Sequence, residues 1–335
     1  MPIVSLSDYR SPAFLFNGHL QTILPALFRR VADVQYERER ITTPDQDFLD
    51  LDWSLATPGK RARSLAILCH GLEGNSTRPY MLGMVRAFNQ QGWDALAWNF
   101  RSCSEEMNHL PCFYHSGATH DLDHVVQHAL TENAYERVVL VGFSLGGNLV
   151  LKYVGERGDH LPTAVERAMV FSVPCDLGAS ARQIARRDNY VYMSRFLSSL
   201  RQKIDNKSQQ QPGKLSPTHL RDIRTLEEFD DKYTAPLHGF RSARDYYQKC
   251  SSRHYLGGIR IPTLIVNAKN DPFLSLECYP TEEAKNHPYV FLEIPNTGGH
   301  CGFCLDHLQG NYWSEQRALQ FLETHVAQPA QAAWV

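Results

Sequence analysis

Residues Arg137 to Val150 read R-V-V-L-V-G-F-S-L-G-G-N-L-V, and this stretch constrains the fold of the 335-residue chain more than any other. An apolar run with the length of a buried strand leads at once into an apolar pattern that suits a helix. Between them stand Gly142, Ser144 and Gly146 in the spacing G-x-S-x-G. A turn that joins strand to helix so abruptly leaves no room for side chains flanking the serine on one face. Glycine at 142 and 146 removes those clashes and permits a strained backbone. Ser144 Oγ is then expected above the strand ends. It would sit at a helix N-terminus, whose dipole and free N–H groups favour developing negative charge. A bare G-x-S-x-G recurs by chance, so the plain alternative is a glycine-rich turn with an incidental serine. The strand before it and the helix after it favour a nucleophile.

The rest of the chain repeats that alternation. Short apolar runs rich in Val, Leu and Ile fall at Leu65–Cys69, Ala95–Trp98, Val138–Val141, Met169–Val173, Leu264–Val266 and Val290–Ile294. Helical patterns fall at Tyr80–Gln90, Asp121–Leu130, Leu145–Glu156, Pro280–Asn286 and Ser314–Val326. The expected fold is α/β, with a mostly parallel central sheet flanked by helices. Val34–Thr42 and Leu49–Leu55 alternate more and are expected to be antiparallel edge strands. Residues 1–335 are read as a single domain. From about Pro174 to Gly258 the rhythm breaks into a polar, helical interval, with Arg182, Arg186 and Arg187 close together. Residues 174–258 are therefore expected to be a helical cap inserted over the carboxyl ends of the strands, where open parallel sheets bind ligands.

Bulk properties exclude several classes. The formal net charge of −2 gives no overall electrostatic footprint for nucleic acid or anionic lipid. No run approaches the roughly 20 apolar residues that span a bilayer. The most apolar early stretch, Pro12 to Phe28, is interrupted by Asn17, His19 and Gln21. Met1 to Ser11 carries Asp8 and Arg10 without an apolar core and cleavage site, so no secretory signal is read. Eight scattered cysteines make no disulfide framework, and those inside apolar runs, such as Cys69, read as small buried hydrophobes. A reducing cytoplasm is the expectation, with no stable membrane insertion and no nucleic-acid partner.

A serine hydroxyl needs a base to take its proton, and the base needs an acid to orient it. When these partners follow in the order Ser, acid, His, each lies on a loop after a strand. Asp271 fits the acid, within a few residues after Leu264–Val266 and just before Pro272. An ordinary turn aspartate is the plain alternative, and Asp176, one strand earlier, is the rival. His300 fits the base, since it alone follows the last expected strand on a glycine loop, Gly298-Gly299. Cys301, Cys304 and His307 beside it form a competing zinc or redox reading, but they lack the paired ligand spacing or the early strand–helix context such sites need. An oxyanion hole would take the backbone N–H of Leu145, directly after the nucleophile. Its second N–H would be that of Leu72, in His70-Gly71-Leu72-Glu73-Gly74 after Leu65–Cys69. A plain turn is the alternative there.

These motifs together resemble the YheT-like branch of the α/β-hydrolases, which includes the animal lung-type α/β-hydrolase proteins. The resembling segments also include Asn17–Thr22, Asn99–Ser104, Phe113–Gly117 and Tyr233–Phe240, so they run from near residue 17 to near residue 303. One departure is Ser102, where the resemblance leads one to expect glycine. The resemblance implies an α/β-hydrolase fold and a carboxylic-ester hydrolase with the triad Ser144, Asp271 and His300. The implied substrate is a small-molecule or lipid ester, and no metal or organic cofactor is required. His19, His70 and His115 are expected either to brace the loops around the site or to contact substrate. Short- to medium-chain acyl esters are the expected substrates. The alternatives are a lipase or acylglycerol hydrolase, a thioesterase, or a non-catalytic binding protein on the same scaffold. Tyr190, Tyr192, Phe196 and Leu197 of the expected cap either line an acyl pocket or form the buried face of a helix.

Overall fold

In the computed structural model, residues 3–4, 7–132, 135–217 and 220–324 are described. Their strands are β1 (Ile3–Val4), β2 (Glu37–Thr42), β3 (Phe48–Ser54), β4 (Ser64–Cys69), β5 (Asp94–Asn99), β6 (Arg137–Phe143), β7 (Val165–Phe171), β8 (Thr263–Val266) and β9 (Val290–Glu293). They form one sheet in the order β1-β9-β8-β7-β6-β4-β5-β3-β2. Pairing is parallel from β1 through β5, and β3 and β2 are antiparallel to their neighbours. The central strands are apolar over most of their length because helices cover both faces of the sheet, although β7 carries the half-buried Glu166 and Arg167. β6 is buried from Val138 onward, and β4 from Leu65.

The helices are α1 (Gly18–Phe28), α2 (Pro79–Gln90), α3 (Thr119–Thr131), α4 (Leu145–Arg157), α5 (Leu177–Ile184), α6 (Tyr190–Gln210), α7 (Leu226–Phe229), α8 (Ala235–Leu237), α9 (Ala243–Cys250), α10 (Thr281–Lys285) and α11 (Trp313–Glu323). α2 and α11 bury Met84, Phe88, Trp313 and Phe321 against one face. α3 and α4 bury Val125, Val126, Leu149 and Leu151 against the other. Between β7 and β8 the chain forms α5 to α9, with a π-helical turn at Asp230–Thr234. Leu197, Leu200 and Ile204 of α6 join the same buried cluster as α3 and α4, so this segment packs as an extension of the core.

Three expectations need correction, and two elements were not expected. The strand placed at Met169–Val173 runs from Val165 to Phe171, because Ser172 takes φ 55° and turns the chain out of the sheet. β3 is not an edge strand. It lies between β5 and β2, and its seven residues are all buried. Its alternation arises from Asp50 and Asp52, whose carboxylates take Arg40 and Arg38 from the true edge strand β2, each at 2.7 Å. α11 ends at Glu323, where Thr324 becomes extended, and the expected residues 325 and 326 lie outside the described ones. α1 and β1 carry no counterpart in the sequence reading: Pro25 sits inside α1, and β1 has only two residues.

Candidate active site

β6 delivers Phe143 into a turn at Ser144, whose φ of 53° and ψ of −121° lie in a region that non-glycine residues rarely visit. The structure shows why the neighbours must be glycine. A Cβ on Gly142 would lie 2.6 Å from Gly146 O, and one on Gly146 would overlap the carbonyls of Cys69 and His70 at the end of β4. The strain is held by Ser144 N–H donating to Phe171 O of β7 at 2.9 Å, and by the α4 bond from Asn148 N–H to Ser144 O. Ser144 Oγ has no hydrogen-bond partner among the described residues and lines two cavities.

The loops after β8 and β9 bring the two expected partners together. His300 Nδ1 lies 2.9 Å from Asp271 Oδ2 and 3.1 Å from Oδ1, and Phe273 N–H donates to Oδ1 at 2.9 Å. His300 lines both cavities beside Ser144. Burial disfavours its charged form, but the Asp271 carboxylate outweighs that effect and raises the imidazole above its ordinary pKa. Gly299, at φ 58°, is where this loop doubles back; a side chain there would strike Gln21 Cβ and Gly18 O.

Both loops rest on α1, which explains most of the segment Asn17–Thr22. Asn17 caps the helix by accepting from Leu20 N–H. The Gln21 carbonyl accepts from Gly298 N–H at 2.7 Å and from Asn270 Nδ2 at 2.9 Å, while its amide donates to Leu15 O. Thr22 Oγ1 accepts from His300 N–H at 2.9 Å. Gly18 lets the helix touch the Asn270 carbonyl, next to the acid. His19 instead turns outward: its Nδ1 is 3.2 Å from the Tyr192 hydroxyl of α6.

The loop after β4 passes beside the nucleophile, since a Cβ on Gly71 would lie 3.2 Å from Ser144 Cβ. Leu72 N–H has no partner among the described residues, and Leu145 N–H opens α4, where no intrahelical acceptor exists. His70 is fully buried and spans the base of this loop. Its Nδ1 is 2.8 Å from Gly71 O, and its Nε2 accepts from Phe100 N–H at 3.1 Å. Burial pushes its pKa down to about 3, which keeps the ring neutral as this pairing requires. Tyr80 Oη accepts from Gly71 N–H. Glu73, at φ 53°, is buried and reaches into α6: it accepts from Lys203 Nζ at 2.8 Å and from Ser199 Oγ, and from Tyr114 Oη at 2.7 Å. Tyr80 and Lys203 were given no role from the sequence, and Gln21 and Glu73 appeared there only as members of longer segments, because nothing in a linear pattern shows which distant loop a polar side chain will meet.

The two cavities meet at Ser144. The inner one, about 100 Å³, is walled by Leu72, Phe113, Ile184, Phe196, Leu200 and Phe229. Its polar positions include His115, whose ring lies 4.4 Å from that of His238, and Asp230, which accepts from Thr234 Oγ1 and Tyr247 Oη. Burial drives His115 well below its ordinary pKa and lifts Asp230 to about 6. The outer cavity, about 340 Å³, opens between α1 and α6 past Ile23, Leu27, Arg78, Val191 and Arg195. Phe196 lines both cavities and Tyr192 the outer one, whereas Leu197 is buried in the core and Tyr190 is exposed.

The rival readings separate on geometry. Asp176 caps α5 by accepting from Ala179 N–H and faces Arg253, away from His300. Cys304 is buried with Leu15 and Tyr312, and among the described residues no three or more His, Cys, Asp or Glu side chains gather as metal ligands. Ser102 does adopt the left-handed conformation that glycine takes freely, at φ 63°, and its hydroxyl bonds to Asn108.

Comparison with known proteins bears on the same residues. The family model of the alpha/beta hydrolase fold matches residues 67–306. The Escherichia coli (strain K12) protein named "Putative esterase YheT" is 36% identical over 315 residues, covering 92% of this chain and 91% of that one. The chain belongs to the α/β-hydrolase family, in its YheT-like branch. This YheT-like hydrolase is also similar to human Phospholipase ABHD3, at 29% identity over 90% of this chain and 75% of the other. It is 30% identical to the Saccharomyces cerevisiae Monoacylglycerol lipase over 78% of this chain and 59% of that entire protein. The solved esterase Pf2001 of Pyrococcus furiosus superposes with a TM-score of 0.57, covering 88% of this chain and 94% of the other; at 16% identity this shows the shared fold.

Proposed function

We propose that the chain is a serine carboxylesterase that works through an acyl-enzyme, with Ser144 as nucleophile, His300 as base and Asp271 as the acid that orients it. The observation that carries this reading is the Asp271–His300 pair on the wall of the cavity into which the strained Ser144 turn projects. His300 Nε2 takes the Ser144 proton as Oγ attacks the ester carbonyl. The N–H groups of Leu72 and Leu145 receive the oxyanion. His300 then gives its proton to the leaving alcohol, and water, deprotonated by the same imidazole, releases the acid. Ser144 and His300 line the same cavities, and the hydrogen bond between Oγ and the imidazole is one that forms as substrate binds.

The segment from 174 to 258 serves as the cap, and the inner cavity beneath it takes the acyl chain. A cavity of about 100 Å³ is smaller than the ~150 Å³ void that accepts benzene. That size favours short acyl groups. The outer cavity takes the alcohol portion. A second reading, hydrolysis of glycerolipids, is favoured by the apolar wall of that cavity and by relatives named as a phospholipase and a monoacylglycerol lipase. Hydrolysis of p-nitrophenyl esters from acetate to palmitate tests the proposal. Turnover is expected to peak at the short end and to vanish in Ser144→Ala. Equal turnover by wild type and variant would overturn it.

A further inference from the structure

Seven large apolar side chains stand exposed among the described residues, and six of them fall in three short stretches. Phe14 and Phe16 precede α1, Leu27 and Phe28 end it, and Tyr190 and Val191 begin α6. Scattered exposed hydrophobes need no explanation, but a grouped set marks a contact surface. The stretches that end α1 and begin α6 meet at one opening, and Phe14 and Phe16 lead into the start of α1. Leu27 and Val191 line the outer cavity together with Ser144, and the His19 ring of α1 stacks on Tyr192 of α6 with centroids 5.8 Å apart. Exposure here is not a failure of local packing. Leu15, between the two phenylalanines, is fully buried, and the inner face of α1 is held by Gln21, Thr22 and Arg29.

The charges around this rim have one dominant sign. Arg30 follows Phe28, Arg186 and Arg187 precede Tyr190, and Arg195 lines the cavity mouth. From residue 186 to 195 the only acid is Asp188, which faces Arg186 at 3.5 Å. A second copy of the chain docked symmetrically on this face would set these guanidinium groups against their own counterparts. A surface of apolar chains under phosphate groups complements both features at once.

We propose that the rim formed by residues 14–16, 27–30 and 186–195 docks reversibly on an anionic phospholipid surface, so that the outer cavity opens directly onto the lipid. No described helix is long and apolar enough to cross a membrane, so the contact is peripheral. The proposal rests on the ester-hydrolase reading only for what enters the cavity; the docking itself needs no catalysis. The test is flotation of the full-length Ser144→Ala protein with vesicles of phosphatidylcholine alone, and with a third of the lipid replaced by phosphatidylglycerol. The protein is expected to float with the anionic vesicles and less with the neutral ones. Adding Phe16→Ser, Phe28→Ser and Tyr190→Ser together is expected to cut binding by about tenfold or more. The same triple change on the Ser144 background checks the fold through turnover of a dissolved acetate ester. Protein left unfloated, or floated equally after the triple change, overturns the proposal. So does a solution dimer that the triple change splits into monomers. Absence of ester turnover with flotation intact would instead remove the hydrolase reading and leave the docking in place.

Discussion

At the scale of single residues, the account turns on proton affinity. As the proposed base, His300 works only when neutral, and Asp271 raises its pKa against the effect of burial. The base form is therefore lost as pH falls through a value above the usual ~6.5, and kcat/KM is expected to climb on the alkaline side of it. Asp271→Asn removes the raising charge. It is expected to lower kcat by about 10^4-fold and to move the remaining acid limb to lower pH, read from a pH–rate profile. An unmoved limb would mean that another group titrates. The strain at Ser144 also has a testable consequence. Gly146→Ala forces a Cβ into the carbonyls that end β4, and no flexible side chain is there to yield. Loss of soluble folded protein is expected, whereas Ser144→Ala should fold normally.

At the scale of elements, helices that carry none of the proposed triad residues hold the loops around Ser144. In Gln21→Leu, Gly298 N–H and Asn270 Nδ2 lose their acceptor, at a cost of about 1–3 kcal/mol for each buried donor. We expect kcat to fall with KM nearly unchanged, because the His300 loop shifts while the acyl pocket does not. Between α6 and the loop after β4, Glu73 and Lys203 form a buried ion pair, each side chain under a tenth exposed. Lys203→Met strands the Glu73 carboxylate and is expected to cost about 3–5 kcal/mol in denaturant unfolding, with much of it recovered by adding Glu73→Gln. Burial alone would raise the Glu73 pKa, but Lys203 and the hydroxyls around it lower it overall. Its stabilising contribution is thus present above the ordinary glutamate range and is lost as pH falls through the depressed value. An unfolding midpoint that ignores pH in that range would contradict this pairing.

These elements also mark where sequence reading succeeds and stops. β4, β5, β6, β8 and β9 are legible because a parallel strand buried on both faces is mostly apolar, whereas Glu166 and Arg167 hide the start of β7. The turn at Ser144 is legible because only glycine fits at 142 and 146. α1 is harder to see because Pro25 interrupts its pattern and its buried polar residues, Gln21 and Thr22, answer to loops nearly 250 residues or more away. The acidic residues of β3 gave that strand the look of an edge, and their partners lie on the next strand. His70 was read as a bracing or substrate-contacting group; in the structure it is fully buried and makes two bonds to backbone.

At the scale of the whole molecule, sheet order does the assembling. β6 carries the serine at the centre, β4 beside it carries the loop of Gly71 and Leu72, and the loops after β8 and β9 reach back across the strand ends. Cavities of unequal size then meet at one hydroxyl, the smaller walled by the segment between β7 and β8 and the larger opening to solvent. Phe196→Ala and Leu200→Ala enlarge the inner cavity and are expected to shift preference toward longer acyl chains by several-fold, read as the ratio of kcat/KM for octanoate over butyrate. An unchanged ratio would place the acyl chain elsewhere. The most direct test of the whole account is covalent: treat the native protein with a fluorophosphonate and locate the adduct by peptide mass spectrometry. The account predicts one label, on Ser144, lost in Ser144→Ala and slowed in His300→Ala. A native protein that stays unlabelled, or a label on any other residue, would contradict it.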